Sequence, residues 1–156
     1  MKNSRLIKVL LLLVMASAAP AFGQTNETDW FSKGMDFCNQ EMFGEAIQAY
    51  DKAIEINPQN SEAWNNKGTA LGILGKYNEA LLAFEKAITI NSSYAEAWYN
   101  MGVIFDLQGK YFSAIQAYSE ATRINPKYQK AWLAKNRDIE IIGMKNYLGL
   151  VHQGGA

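Results

Sequence analysis

The chain has 156 residues, which suits one domain. Its 15 basic and 15 acidic side chains cancel, which argues against a nucleic-acid binder, a class that carries basic patches. Hydrophobic residues make up 49% of the chain, enough to fill a core, and the single cysteine, Cys38, leaves no internal disulfide to help hold it.

The N-terminal stretch reads as a targeting segment rather than as fold. Lys2, Arg5 and Lys8 give a positive start, Leu6 to Val14 is almost wholly apolar, and Ala21-Phe22-Gly23 fits a peptidase site before Gln24. The run is too short to cross a bilayer about 30 Å thick as a helix. Residues 1–23 are therefore expected to be a signal peptide, with an uncleaved membrane anchor as the alternative. Membrane contact is expected only through that segment, and the chain is expected to work in a secreted or extracytoplasmic place. Cleavage would leave twelve basic side chains against fifteen acidic ones, a net of −3. In an oxidising place Cys38 either lies as a small apolar group on a helix or pairs between chains.

From Trp30 onward the chain repeats itself. Its four tryptophans, Trp30, Trp64, Trp98 and Trp132, stand 34 residues apart, the signature of stacked repeats. Four residues after the first three come Gly34, Gly68 and Gly102. Seven after come Phe37, Leu71, Phe105 and Ile139. These offsets place Trp, Gly and the apolar residue on one helix face. A second helix carries Phe43, Tyr77 and Tyr111, then Ala46, Ala80 and Ala114, then Tyr50, Phe84 and Tyr118, then Ala53, Ala87 and Ala121. The small residues let two helix backbones approach, and the rings fill the space around them. Gly inside a helix costs about 1 kcal/mol against Ala, so its recurrence implies a steric demand.

Gly75 and Gly109 fall where the first helix of a unit should end, and the first unit lacks a glycine there. Between units, "NPQN", "NSSY" and "NPKY" mark breaks. Asn57, Asn91 and Asn125 are expected in the left-handed conformation, and Ser61 is expected to cap the next helix. The reading is all-α: helix–turn–helix units over about 27–60, 61–94 and 95–128, a capping helix over 129–142 and a tail over 143–156. Asn136, Arg137, Asp138 and Glu140 suggest that the cap is solvated, which predicts a monomer. In the tail, Tyr147, Leu148, Leu150 and Val151 are expected to form a short segment that packs back, ahead of a loose glycine-rich end.

"AWNNKGTALGILGKYNEALLAFEKAITIN" and "AWYNMGVIFDLQGKYFSAIQAYSEATRINP" resemble the tetratricopeptide repeat family over about residues 27–142. The resemblance implies an α-solenoid with a concave groove lined by the first helix of each unit, and a protein or peptide partner held there. Carried over by offset, the groove residues are Phe31, Met35, Glu62, Asn65, Asn66, Thr69, Glu96, Tyr99, Asn100, Val103, Asp106, Lys130, Leu133 and Arg137. Chaperone-binding members grip an acidic C-terminus with a carboxylate clamp. The clamp positions here hold Phe31, Glu96, Asn100, Met35 and Asn66, of which only Asn66 fits, and Glu62 and Glu96 would repel a carboxylate. Asn66 and Asn100 match two rungs of the asparagine ladder by which other members hold a peptide backbone.

The chain carries no catalytic set, metal spacing or cofactor motif. Its one histidine, His152, lies in the tail, and "KGTALGILGK" lacks the strand and the Ser or Thr of a phosphate loop. The expectation is a non-enzymatic scaffold, with a structural, self-associating subunit as the alternative. "NET" at Asn26 and "NSS" at Asn91 are candidate glycan acceptors.

Overall fold

The computed structural model describes residues 26–153, with side chains over 26–146. The expected signal peptide and the last three residues lie outside the described residues. Among the described residues seven helices follow in order: α1 Glu27–Asn39, α2 Phe43–Ile56, α3 Ser61–Ile73, α4 Tyr77–Ile90, α5 Ala95–Leu107, α6 Tyr111–Ile124 and α7 Gln129–Gln153. The fold is an α-solenoid of three hairpins, α1/α2, α3/α4 and α5/α6, closed by α7.

Each hairpin is held by one device. The rings of Tyr50, Phe84 and Tyr118 are almost fully buried and lie on Gly34, Gly68 and Gly102 of the facing helix. A Cβ at Gly68 would stand 2.7 Å from the Phe84 ring, and the other two sites are tighter still. Ala46, Ala80 and Ala114, all with no exposed surface, let the same two helices approach one turn earlier. Only a residue without a side chain fits under the ring, and this is the steric demand that repeats glycine through the chain.

The turns within hairpins are alike. Lys76 N–H donates to Leu71 O (2.9 Å) and Gly75 N–H to Gly72 O (3.0 Å), the paired bonds of a glycine-type helix end. Lys110 with Phe105 and Gly109 with Asp106 repeat the pattern, as do Met42 with Phe37 and Glu41 with Cys38. Gly75 and Gly109 take φ of +74° and +70°, and Glu41 takes φ of +60° with a side chain attached.

The turns between hairpins differ from expectation. Asn57, Asn91 and Asn125 have φ of −132°, −132° and −127°, outside the left-handed region. They end the helix another way: each side-chain oxygen accepts the backbone N–H two residues on, from Gln59, Ser93 and Lys127. The cap of α3 is Asn60 rather than Ser61, its Oδ1 accepting Ala63 N–H at 2.9 Å. Asn26 caps α1 in the same way and is exposed, as is Asn91.

The last helix departs furthest from the sequence reading. A capping helix over 129–142 was expected, with a segment folding back; α7 instead runs unbroken through Gly143. Gly143 occupies the offset of Glu41, Gly75 and Gly109, so a turn residue is present. The locking slot is not: Asn136 stands where Gly34, Gly68 and Gly102 receive a ring, and its Cβ fills that space. Without the slot the chain gains nothing by turning. The cap is also less solvated than expected. Asp138 is fully buried, while Trp132, Leu133, Ile139 and Met144 are exposed.

The glycine slots carry a direct prediction. Gly68→Ala drives a methyl into the Phe84 ring and should destabilise the fold by about 1–3 kcal/mol. Gly44→Ala, where an added Cβ meets nothing within 4 Å, should be neutral or stabilising by up to about 1 kcal/mol. Thermal unfolding of the two variants beside wild type checks both. Equal melting temperatures would show that the ring moves aside freely.

Candidate functional site: the first-helix face

Successive first helices touch one another, α1 with α3 and α3 with α5. The second helices form the outer layer. A stack joined more closely on one side curves toward it, so α1, α3 and α5 line the concave face.

Two hollows adjoin on that face, one on each side of Thr69. The first, about 280 Å³, lies between α1 and α3 and is lined by Met35, Cys38, Asn39, Tyr50, Asn66 and Thr69. The second, about 170 Å³, lies between α3 and α5, with Phe84, Val103, Ile104 and Leu107 making its apolar wall and Thr69 and Asn100 its polar edge. Each has room for apolar side chains of a bound segment.

A polar chain runs between the hollows. Asn100 Nδ2 donates to Asn65 Oδ1 at 3.0 Å and reaches Thr69 Oγ1 at 3.5 Å. Asn65 Nδ2 in turn points to Asn66 Oδ1 at 3.4 Å, and Thr69 Oγ1 donates to the Asn65 carbonyl at 3.1 Å. Asn65 is 1% exposed. It was expected on the groove surface and is instead a buried strut between α3 and α5. The carboxamides of Asn66 and Asn100 remain accessible, one at each hollow. Asn100 therefore has two roles, because its removal would strand the buried Asn65 oxygen.

The other expected groove residues distribute along the face. Met35 is exposed, and Phe31 is half-buried with its ring 5.9 Å from that of Tyr50. Cys38 Sγ lies 3.6 Å from Tyr50 Oη in the wall of the first hollow. Glu62 and Glu96 are exposed in the first turns of α3 and α5, where carboxylates suit the helix N-terminus. Tyr99 is half-buried against Tyr118 and Tyr128, with centroids 5.6 and 5.2 Å away. Lys130 and Leu133 are exposed on α7, and Val103 is half-buried.

Tyr94 and Tyr128 escaped the sequence reading. Both sit four residues before a tryptophan, in the breaks "NSSY" and "NPKY", a position held by Asn60 in the preceding break. Burial, then Glu96 and Glu62, push the Tyr94 phenol up to about 12. Burial, then Glu96 and Tyr99, do the same to Tyr128. The two glutamates thus give this edge of the groove a negative field. Ile73 and Leu107, exposed at the ends of α3 and α5, were also missed; their shared offset nine after the tryptophan was the available signal.

At the α7 end, Arg137 ties the stack together. Its Nη2 bonds Asp106 on α5, and its Nε and Nη2 donate to Asp138 Oδ1 at 3.1 and 2.9 Å. Asp138 Oδ2 is buried without a hydrogen-bond partner. Burial is the main cause that raises the Asp138 pKa above its ordinary 3.8, with Arg137 opposing it.

A curved stack of helical hairpins with an open, pocketed inner face defines a binding scaffold of the α-solenoid class. Tetratricopeptide repeat patterns match residues 29–60, 49–81, 68–109 and 95–128, so the chain belongs to the tetratricopeptide repeat family. Among solved structures it is similar to MamA, at 25% identity over 78% of this chain and 71% of that one, with a TM-score of 0.73. It is similar in fold to the first TPR of Spaghetti (RPAP3) bound to the HSP90 peptide SRMEEVD (22% identity, 76% and 94% covered, TM-score 0.73). The Sgt2 TPR domain from Aspergillus fumigatus shares the fold as well (20% identity, 78% and 82% covered, TM-score 0.74). No curated protein matches the chain in sequence.

Asp138 sets a pH dependence. A carboxyl whose pKa is raised by folding binds its proton more tightly in the native state, so its contribution is greatest in acid and declines as pH rises from 3.8 through the raised value. In Asp138→Asn that decline disappears. The melting temperature of the variant minus that of wild type should climb as pH is raised from about 4 and then level off. A difference that stays flat with pH would mean that the carboxyl titrates as it does in the unfolded chain.

Proposed function

We propose that this chain is a non-enzymatic scaffold that seats an extended or helical segment of a partner protein along the α1–α3–α5 face, outside the cytoplasm. The observation that carries the reading is the pair of hollows flanking Thr69, each with a partly accessible asparagine carboxamide at its edge that keeps hydrogen-bonding capacity beyond its bonds within the chain. The hollows take apolar side chains, and the carboxamides of Asn66 and Asn100 donate to and accept from the backbone between them. The location rests on the N-terminal sequence alone.

The charge of the face selects among partners. The Spaghetti domain is bound to SRMEEVD, a peptide with three carboxylate side chains and an acidic end. Here, of the five clamp positions, only Asn66 fits; the others carry Phe31, Met35, Glu96 and Asn100, and Glu62 adds a second carboxylate. Of the two cations expected on the face, Arg137 gives Nε and Nη2 to Asp106 and Asp138, and neither it nor Lys130 lines either hollow. The partner segment is therefore apolar at two positions and neutral or basic between them, rather than acidic.

The test uses the wall of the second hollow. Val103→Asp and Leu107→Asp add charge to an apolar pocket without removing a buried bond. Each should lower the recovery of a captured partner at least tenfold while the melting temperature shifts by only a few degrees. SRMEEVD itself should show no saturable binding. Undiminished capture by both variants would place the partner on another surface.

A further inference from the structure

α7 is the last helix of the described stack, and among the described residues no helix covers its outward side. Trp132, Leu133, Ile139 and Met144 are 57, 59, 47 and 59% exposed. In the second hairpin the counterpart of Ile139, Leu71, is 2% exposed beneath α4. The exposed side chains of α7 lie on two sides of the helix: Trp132 and Ile139, two turns apart, on the side where the second helix of a hairpin would pack, and Leu133 and Met144 on the side beside it, where an exposed apolar pair marks an interface.

The order of side chains on that face says what covers it. Leu133, Arg137, Glu140 and Met144 fall at steps of four, three and four, and so form one stripe. The stripe runs apolar, cation, anion, apolar. Read from the other end it is apolar, anion, cation, apolar. A second copy of the same helix laid antiparallel therefore sets Leu133 against Met144 and Arg137 against Glu140, each pair formed twice about a two-fold axis. The charges are free to meet. Arg137 spends Nε and Nη2 on Asp138 and Asp106, which leaves Nη1 for a further carboxylate. Glu140 is exposed and joins no ion pair among the described residues. Lys145, a like charge at the edge of the pairing, is held over the Tyr111 ring of its own chain at 4.4 Å.

We propose that α7 is a two-fold interface through which two copies of this chain associate end to end. The polar cap that the sequence suggested would have kept the chain a monomer; the exposed apolar residues remove that argument.

Sedimentation equilibrium on the full chain tests the proposal. Wild type should be a dimer. Glu140→Lys opposes like charges twice, and Met144→Glu places a charge against Leu133; each should raise the dissociation constant tenfold or more with little change in melting temperature, since both side chains are exposed. The N-terminal apolar stretch is common to all variants, so a change on substitution isolates α7. Orientation is read by crosslinking in a Cys38→Ser background. A mixture of Leu133→Cys and Met144→Cys chains should form the mixed disulfide in preference to either symmetric one. A monomer at every concentration would overturn the proposal. So would a dimer indifferent to both substitutions, which would point to the N-terminal segment or another face, or crosslinks that are only symmetric.

Discussion

The structure depends on a ring lying on a bare backbone. Where Tyr50, Phe84 and Tyr118 cross Gly34, Gly68 and Gly102, the two helices of a hairpin come closer than any side chain would permit. That closeness fixes the angle of the hairpin, and three equal hairpins stack with equal offsets. Equal offsets let the first helices touch along the inside of the curve, and the curve makes the groove. The binding surface is thus a consequence of a packing rule applied three times, not of any feature placed there for a ligand. Where the rule lapses, at Asn136, hairpin formation lapses with it.

The inner face joins stability to recognition through its amides. Asn65 is buried and Asn100 is not, yet one hydrogen bond links them, and Thr69 touches both. A partner that engages Asn100 engages the joint between the second and third hairpins. Binding and the rigidity of the stack are coupled at that point, so a substitution at Asn100 reports on both at once. The apolar wall of the second hollow carries no such double duty.

Much of the architecture was legible in the sequence because it rests on short-range regularity. A 34-residue comb, a helical offset pattern and turn residues at fixed places define hairpins without reference to distant contacts. What escaped depended on three dimensions. Asn65 and Asn66 are neighbours with the same side chain, and only the tilt of α3 against α5 decides which is buried. Asn57, Asn91 and Asn125 do end their helices, but through a side-chain bond that residue type alone does not distinguish from a left-handed backbone. Asp138 looks like a solvated charge beside Arg137, yet the packing of α7 on α6 encloses it. The run of α7 past Gly143 was open to inference, since Asn136 is visible in the sequence; the missing step was to know that the glycine it replaces is a slot for a ring.

The left-handed turn at Glu41 has a consequence for motion. Its counterparts Gly75 and Gly109 adopt that backbone freely, whereas a residue with a side chain pays about 1 kcal/mol for it. In a linear array each unit is stabilised by itself and its neighbours, and among the described residues the first hairpin has a neighbour on one side only. The strained turn therefore sits in a unit supported on one side, and the amides of α1 and α2 are expected to exchange with solvent sooner than those of the second hairpin. One wall of the larger hollow belongs to that unit. The groove therefore has a less supported end at α1 and a better supported one at α3.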